Sequence, residues 1–262
     1  MKRIAVVARL VVAASVAIMA NLPMKAGAAG VYENAAAEPA FLLSARKTTL
    51  RGDLDFSRND PTEASIYRVG ASFPLRNVFM VGLEQTFVSV TDSTAIKSGI
   101  GDLYIRASAR AWRGNQRAFL LLAYLGTGTT KQEYFPYSSK TLDVSTSLAY
   151  VDSLGGVATV YLTAGRTWVN RAETERPVDE RHADYWRGSA GLSVDAGERA
   201  TLQGGTLAEY TADHAKRWIW YGRIAARATD ALSLHASFQK EVGEEAQRVS
   251  DWALSAGFTV RF

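Results

Sequence analysis

From residue 40 onward the chain alternates. Apolar and polar side chains exchange at every position over runs of about ten to fifteen residues, and a polar break closes each run. Period two is the pattern of strands, because successive side chains of an extended backbone leave on opposite faces. The runs are 41–56, 62–75, 77–91, 100–113, 115–128, 139–152, 156–170, 182–196, 198–212, 216–228, 230–243 and 247–262, twelve in number. In 100–113, Leu103, Ile105, Ala107, Ala109 and Ala111 oppose Asp102, Tyr104, Arg106, Ser108 and Arg110. In 182–196, Trp186, Ala190, Leu192 and Val194 oppose Arg187, Ser189, Ser193 and Asp195. In 230–243, Leu232, Leu234, Ala236 and Phe238 oppose Ser233, His235, Ser237 and Gln239. The final run alternates from Trp252 through Phe262, so its end is predicted to sit inside an ordered sheet.

The breaks come in two kinds, in turn. Leu75-Arg76-Asn77, Arg113-Gly114-Asn115, Leu154-Gly155-Gly156, Ala196-Gly197-Glu198 and Thr229-Asp230 are tight and carry the small polar residues of hairpin turns. Between them fall longer breaks: SRNDPTE, TDSTAIKSG, TKQEYFPYSS, NRAETERPVDE, TADHAK and EEAQ. An even set of strands joined by alternately short and long connections predicts an all-β, antiparallel transmembrane barrel of twelve strands. Its short turns and both termini would be periplasmic and its longer loops external. FLLLAYLG at 119–126 is apolar on both parities and 41–56 alternates poorly, so ten and fourteen strands stay as alternatives. The apolar parity is assigned to lipid and the polar parity to the lumen. Strand direction then sorts the aromatics into two belts. Phe87, Trp168, Trp186, Trp218, Phe238 and Trp252 fall toward the outer rim, and Phe73, Phe79, Trp112, Tyr150 and Phe262 toward the inner. Two cations fall on the lipid parity: Lys240, close enough to the outer headgroups to snorkel, and Arg166, where a bulge or a shifted register is the expected escape.

The first 28 residues have another character. A basic start, an apolar run over Leu10–Ala20 and Ala26-Gly27-Ala28 lay out a secretory signal peptide cleaved after Ala28. Residues 29–40 would be a periplasmic N-terminal segment and 41–262 the barrel. The leader changes the meaning of the charge. The chain carries 30 basic and 26 acidic side chains, but Lys2, Arg3, Arg9 and Lys25 lie in the leader, which has no acid, so the remainder is formally neutral. A nucleic-acid partner is therefore not expected. The chain has no cysteine, which removes disulfides and thiolate metal sites, and no cofactor is expected.

SGIGDLYIRASARAW, Ser98 to Trp112, followed by FLLLAYLGTGTTKQEYFPYSSKTLDVSTSLAYV over 119–151, resembles the MetA-pathway of phenol degradation family, outer-membrane barrels regarded as transporters. The shared features are a Gly-x-Gly-Asp ahead of an alternating strand, then a second strand and a Gly/Thr-rich loop. The likeness covers about 98–170. This chain departs from it at Leu125-Gly126-Thr127-Gly128, where the family has Pro-Thr-Gly, and in a Tyr-Phe-Pro-Tyr cluster beyond. The resemblance implies passage of small, in part aromatic, compounds. A terminal Phe262 on an alternating strand likewise resembles the signal read by the barrel assembly machinery, which with outer-membrane lipid would be a partner.

The inward parity carries charges of both signs: Arg68, Glu84, Asp102, Arg106, Arg110, Asp143, Arg187, Asp195, Glu209, Arg223, Arg227 and Arg261. A twelve-stranded ring lies between barrels filled by side chains, at about 8 strands, and open porins at about 16. One expectation is a narrow polar pore that selects small solutes by opposed Arg and carboxylate rows, with Arg106/Arg110 and Arg223/Arg227 as arginine ladders. The other is that the charges pair, brace the wall and block it, leaving a non-conducting structural or surface-interaction barrel. Tyr134, Phe135 and Tyr137 form an aromatic cluster in the third external loop, suited to a constriction at the mouth or to loop packing. A lipid hydrolase would need a Ser–His pair within hydrogen-bond reach. His235 shares its face with Ser233 and Ser237, but neighbours two apart on a strand are about 7 Å distant. An enzyme is not expected.

Overall fold

The computed structural model describes residues 47–59, 62–75, 78–91, 96–114, 116–127, 143–169, 185–211, 216–242 and 251–262. The proposed leader, residues 29–40 and the Tyr134/Phe135/Tyr137 cluster lie outside them.

Twelve strands follow in chain order: β1 (Thr49–Asn59), β2 (Thr62–Leu75), β3 (Phe79–Thr91), β4 (Ile96–Arg113), β5 (Arg117–Gly126), β6 (Asp143–Leu154), β7 (Ala158–Val169), β8 (Tyr185–Asp195), β9 (Ala200–Thr211), β10 (Lys216–Arg227), β11 (Leu232–Val242) and β12 (Trp252–Arg261). Each pairs antiparallel with its sequence neighbours, and β12 returns to β1 in unbroken register from Thr49↔Arg261 to Arg58↔Trp252. The sheet is a closed twelve-stranded antiparallel barrel. Closure removes both edges, so the last strand finds partners on both sides. Among the described residues no helix occurs.

Turn chemistry sits where the tight breaks predict it. Gly155 and Gly156 both take positive φ (62° and 76°) in the three-residue connection between β6 and β7, where the Val157 N–H donates to the Leu154 carbonyl at 3.3 Å, and Gly197 (80°) does so between β8 and β9. The loop-end connections are less uniform than the polar composition predicts. SRNDPTE is mostly strand: Asn59 pairs with Thr62, leaving two residues between β1 and β2. TDSTAIKSG shrinks likewise, because β4 begins at Ile96 and pairs Thr91↔Ile96. Polar residues there extend the strands past the belt of apolar side chains.

The two faces differ as lipid and lumen differ. Outside stand exposed Leu83, Leu121, Leu148, Leu162, Leu192, Leu202, Ile224 and Phe258, bounded toward the loop end by Phe87, Trp168, Trp186, Trp218 and Trp252. Toward the turn end Trp112, Phe119 and Tyr150 pack as tilted rings, with centroids 6.0 and 5.1 Å apart. Trp112 shares its parity with inward Arg110. A register shift between Arg110 and Trp112 turns the ring outward into that belt. The ambiguous 119–126 also resolves: Phe119 and Leu121 are exposed, while Leu120 is buried inside.

Arg166 corrects the expectation of a bulge. The registers of β6–β7 and β7–β8 run unbroken through Thr146↔Arg166↔Trp186, so its side chain does face outward. Its guanidinium lies over the rings of Trp168 (5.5 Å) and Trp186 (5.4 Å).

Candidate functional site

The interior is built from one side chain in two on every strand, so neighbours across the wall are set by register. Of the charged residues expected to face inward, Arg68, Glu84, Asp102, Arg187 and Glu209 are buried, Arg106, Arg110, Asp143, Arg223 and Arg261 are half-buried, and Asp195 and Arg227 are exposed at the turn-end limits of their strands. Several are ion-paired to the adjacent strand. Arg68, almost fully buried, gives its Nε to Asp55 at 2.7 Å and closes a second contact through Nη2. Arg106 Nη2 meets Glu84 Oε1 at 2.8 Å, and its guanidinium lies 5.6 Å over the Tyr124 ring, which stacks on Tyr104 at 5.0 Å. Arg187 Nη2 lies 3.6 Å from Glu209 Oε1. Asp102 is buried beside the second register irregularity, between Gln85 and Phe87. There Thr86 donates to the Asp102 carbonyl (3.0 Å) and Gln85 Nε2 to that of Gly101 (2.9 Å). A Cβ at Gly101 would collide with the Thr86 hydroxyl, which gives the Gly-x-Gly-Asp motif a physical role: it forms the bulge.

Two groupings escaped the reading of single strands because they are cross-strand rows over glycine. Tyr161↔Gly191↔Gly205↔Tyr221 follows one line of partners through β7, β8, β9 and β10. The two tyrosine hydroxyls meet above the glycines, where a Cβ at Gly191 would lie 2.5 Å from the Tyr221 oxygen. Asp53↔Gly257↔His235 does the same at the closing seam: His235 Nε2 is 2.6 Å from Asp53 Oδ1, over a glycine whose Cβ would lie 2.8 Å from that nitrogen. Arg51 Nε completes this group, 2.5 Å from Asp53 Oδ2. The imidazole that a hydrolase would need thus turns its Nε2 to a carboxylate. Glycines at inward mid-strand positions were the sequence signal for both rows.

A third feature contradicts the rule that apolar means lipid. Leu120, Ala149, Val151 and Tyr161 are buried on the luminal face of β5–β7, with Leu122 and Tyr221 packed against them. Ala64, Ile66 and Val88 form a second such patch on β2 and β3. In a ring of twelve, β6 stands opposite β12, so the β5–β7 patch faces the wall that carries Arg51, Asp53 and His235. Leu120, Val151, Tyr161, Arg51, His235 and Arg223 all lie two to four residues from the turn-end limits of their strands. One level of the lumen is therefore apolar and aromatic on one side and charged on the other.

Charge is also ordered along the axis. Near the loop-end limits of their strands lie Asp143, Glu209 and Glu241, with Arg187; near the turn-end limits lie Arg51, Arg110, Arg227 and Arg261, with Asp195. The Arg106/Arg110 strand, β4, stands six places from the Arg223/Arg227 strand, β10, so the two ladders occupy opposite walls.

The same fold occurs in solved structures. An outer membrane channel from Pseudomonas putida F1 superposes with a TM-score of 0.69 at 14% identity, over 82% of this chain and 95% of that one. The NanC porin matches with a TM-score of 0.58 at 9% identity, over 82% of this chain and 100% of that one. A channel described as a monoaromatic hydrocarbon channel, CymD, gives 0.50 at 9% identity, over 86% and 91% of the two chains. At such identities the likeness is one of fold. No protein-family model matches this chain, and no curated protein matches it by sequence.

Proposed function

We propose that this protein is a passive outer-membrane channel for small amphipathic solutes, those with an aromatic or apolar body and a polar or anionic group. The observation that carries the reading is the divided cross-section. Leu120, Val151 and Tyr161 offer an apolar surface opposite Arg51, Asp53 and His235, so a ring on one wall would place its polar group against the other. The neighbouring folds, which include porins and a channel described as conducting monoaromatic hydrocarbons, support a channel, and the resemblance of 98–170 to the phenol-degradation family supports the aromatic class. Export through the leader and insertion by the assembly machinery reading the strand that ends in Phe262 belong to the same proposal.

Conductance in planar bilayers, with swelling of liposomes in benzoate and in a sugar, tests it. The expected result is a discrete channel in which benzoate permeates better than a sugar of similar size, with altered current in Arg106→Ser and Arg223→Ser. Electrical silence of wild type and variants alike sinks it. That silence would support the second reading, a non-conducting barrel, which the pairing of Arg68 with Asp55 and of Arg106 with Glu84 favours.

A further inference from the structure

The lipid-facing wall has a hollow. A groove of about 910 Å³ crosses it from Phe79 on β3 to Trp186 on β8. Its floor follows one line of cross-strand partners, Val81↔Ala107↔Ala123↔Thr146↔Arg166↔Trp186. Two alanines and a threonine in consecutive places, between larger neighbours such as Phe79, Leu121 and Leu148, leave the trough. Val81 is two residues from the turn-end limit of β3 and Arg166 three from the loop-end limit of β7, so the trough climbs the barrel. Its four strand spacings from Val81 to Arg166 span about 19 Å, and at a strand tilt of about 40° that climb is roughly 12 Å. One leaflet of hydrocarbon is about 15 Å thick.

Arg166 closes the upper end. A cation on the lipid face of a barrel costs about 2–4 kcal/mol at mid-membrane and little near the interface. This one is positioned rather than merely tolerated. Trp168 and Trp186, both exposed, hold its guanidinium between them, and Thr146, its cross-strand partner, puts a hydroxyl on the same face. The planar donor fork matches a phosphate, and the apolar trough below matches a chain of methylenes.

We propose that this trough is a binding site for one membrane lipid with a phosphate-bearing, net-anionic headgroup, its acyl chain along Ala107 and Ala123 and its phosphate on Arg166. A second copy of this chain would need its own anion at that height, whereas every leaflet of such lipid supplies phosphate at the interface and hydrocarbon beneath. The site requires the barrel to lie in a bilayer but not to conduct, so it stands or falls apart from the channel.

Native mass spectrometry of the detergent-purified barrel, titrated with phosphatidylglycerol and phosphatidylcholine of identical chains, tests it. Wild type is expected to retain one phosphatidylglycerol in preference to phosphatidylcholine. Arg166→Gln should lower that retention at least about tenfold, the factor carried by one charge-assisted hydrogen bond. Arg166→Lys should keep part of it, and Ala123→Leu, which fills the trough and leaves the charge, should lower retention of both lipids. The heat-modifiable mobility of each variant on a gel reports folding, and if Arg166→Gln fails there, the Arg166→Lys and Ala123→Leu results decide. Equal retention of the two lipids by wild type, undiminished phosphatidylglycerol on Arg166→Gln and Ala123→Leu, or a dimer that masks this face would each overturn the proposal.

Discussion

The Tyr–Gly–Gly–Tyr row separates stability from conduction. In Gly191→Ala the atoms nearest the new methyl are the Cζ and hydroxyl of Tyr161 and the hydroxyl of Tyr221, and at 2.5 Å from the Tyr221 oxygen it is about 1 Å inside ordinary contact. The backbone can stay, so the rings must retreat by about that distance, and the wall leaves them only the lumen. The hydroxyl pair breaks, costing about 1 kcal/mol, but replacing glycine by alanine in a strand interior returns about 0.5–1 kcal/mol. The net change in unfolding free energy is close to zero. Tyr161→Phe does the converse: it removes the same hydrogen bond, costs about 1 kcal/mol, and leaves the rings where they were. Urea unfolding in detergent micelles and single-channel conductance should therefore reverse in order. Gly191→Ala is expected to keep its midpoint and conduct less, and Tyr161→Phe to lose stability and conduct normally. Truncating the ring in Gly191→Ala/Tyr161→Ala should restore current. If Gly191→Ala conducts as wild type does, the tyrosines do not border the solute's path and the reasoning fails.

Three other outcomes follow from the interior. Arg68→Met strands the buried Asp55 carboxylate and should cost about 3–5 kcal/mol in the same unfolding assay, whereas Arg68→Met/Asp55→Leu should recover most of it. Gly257→Val drives a side chain into the Gly52 carbonyl and the Asp53–His235 contact at the seam. It should cost about 3–6 kcal/mol, as overpacking plus a lost charged hydrogen bond, and show as earlier loss of the folded gel band on heating. Replacing Arg110, Arg227 and Arg261 together by Ser removes the cationic end of the lumen. The reversal potential in a KCl gradient should then move toward cation preference, and an unmoved potential would exclude that end from selection.

The architecture was readable because two periods coincide in this chain: side chains alternate by two, and connections alternate between tight and polar. Neither depends on knowing what packs where. The strand limits were less readable at the loop end, since Ser57–Asn59 and Ile96–Gly99 are polar, or flanked by polar residues, and yet remain paired. Beyond the hydrocarbon, a barrel wall faces water on both sides, and alternation stops marking where a strand ends. Trp112 shows the other failure. A single extra residue reverses parity, and nothing in Arg110-Ala111-Trp112 announces it.

The site was readable only in its charges. Parity pointed to Arg68, Glu84 and Arg106 but passed over Arg51, Asp53, Asp55 and Glu241, and the apolar luminal wall was not legible at all, because 119–126 is apolar on both parities and nothing in it separates buried Leu120 from exposed Leu121. Hydropathy cannot tell hydrocarbon from the inside of a half-dry tube; what tells them apart is the partner across the sheet. Ala149 and Val151 are inward because they pair beside Thr163 and Tyr161, whose parity Thr159 and Thr167 fix. Arg166 is the mirror case, a cation outside because Thr146 and Trp186 flank it in register. Departures from the pattern, and not the pattern, thus mark where this wall meets something other than bulk water or bulk lipid. The rows that carry them run perpendicular to the chain, along a direction that no reading of one strand at a time can follow.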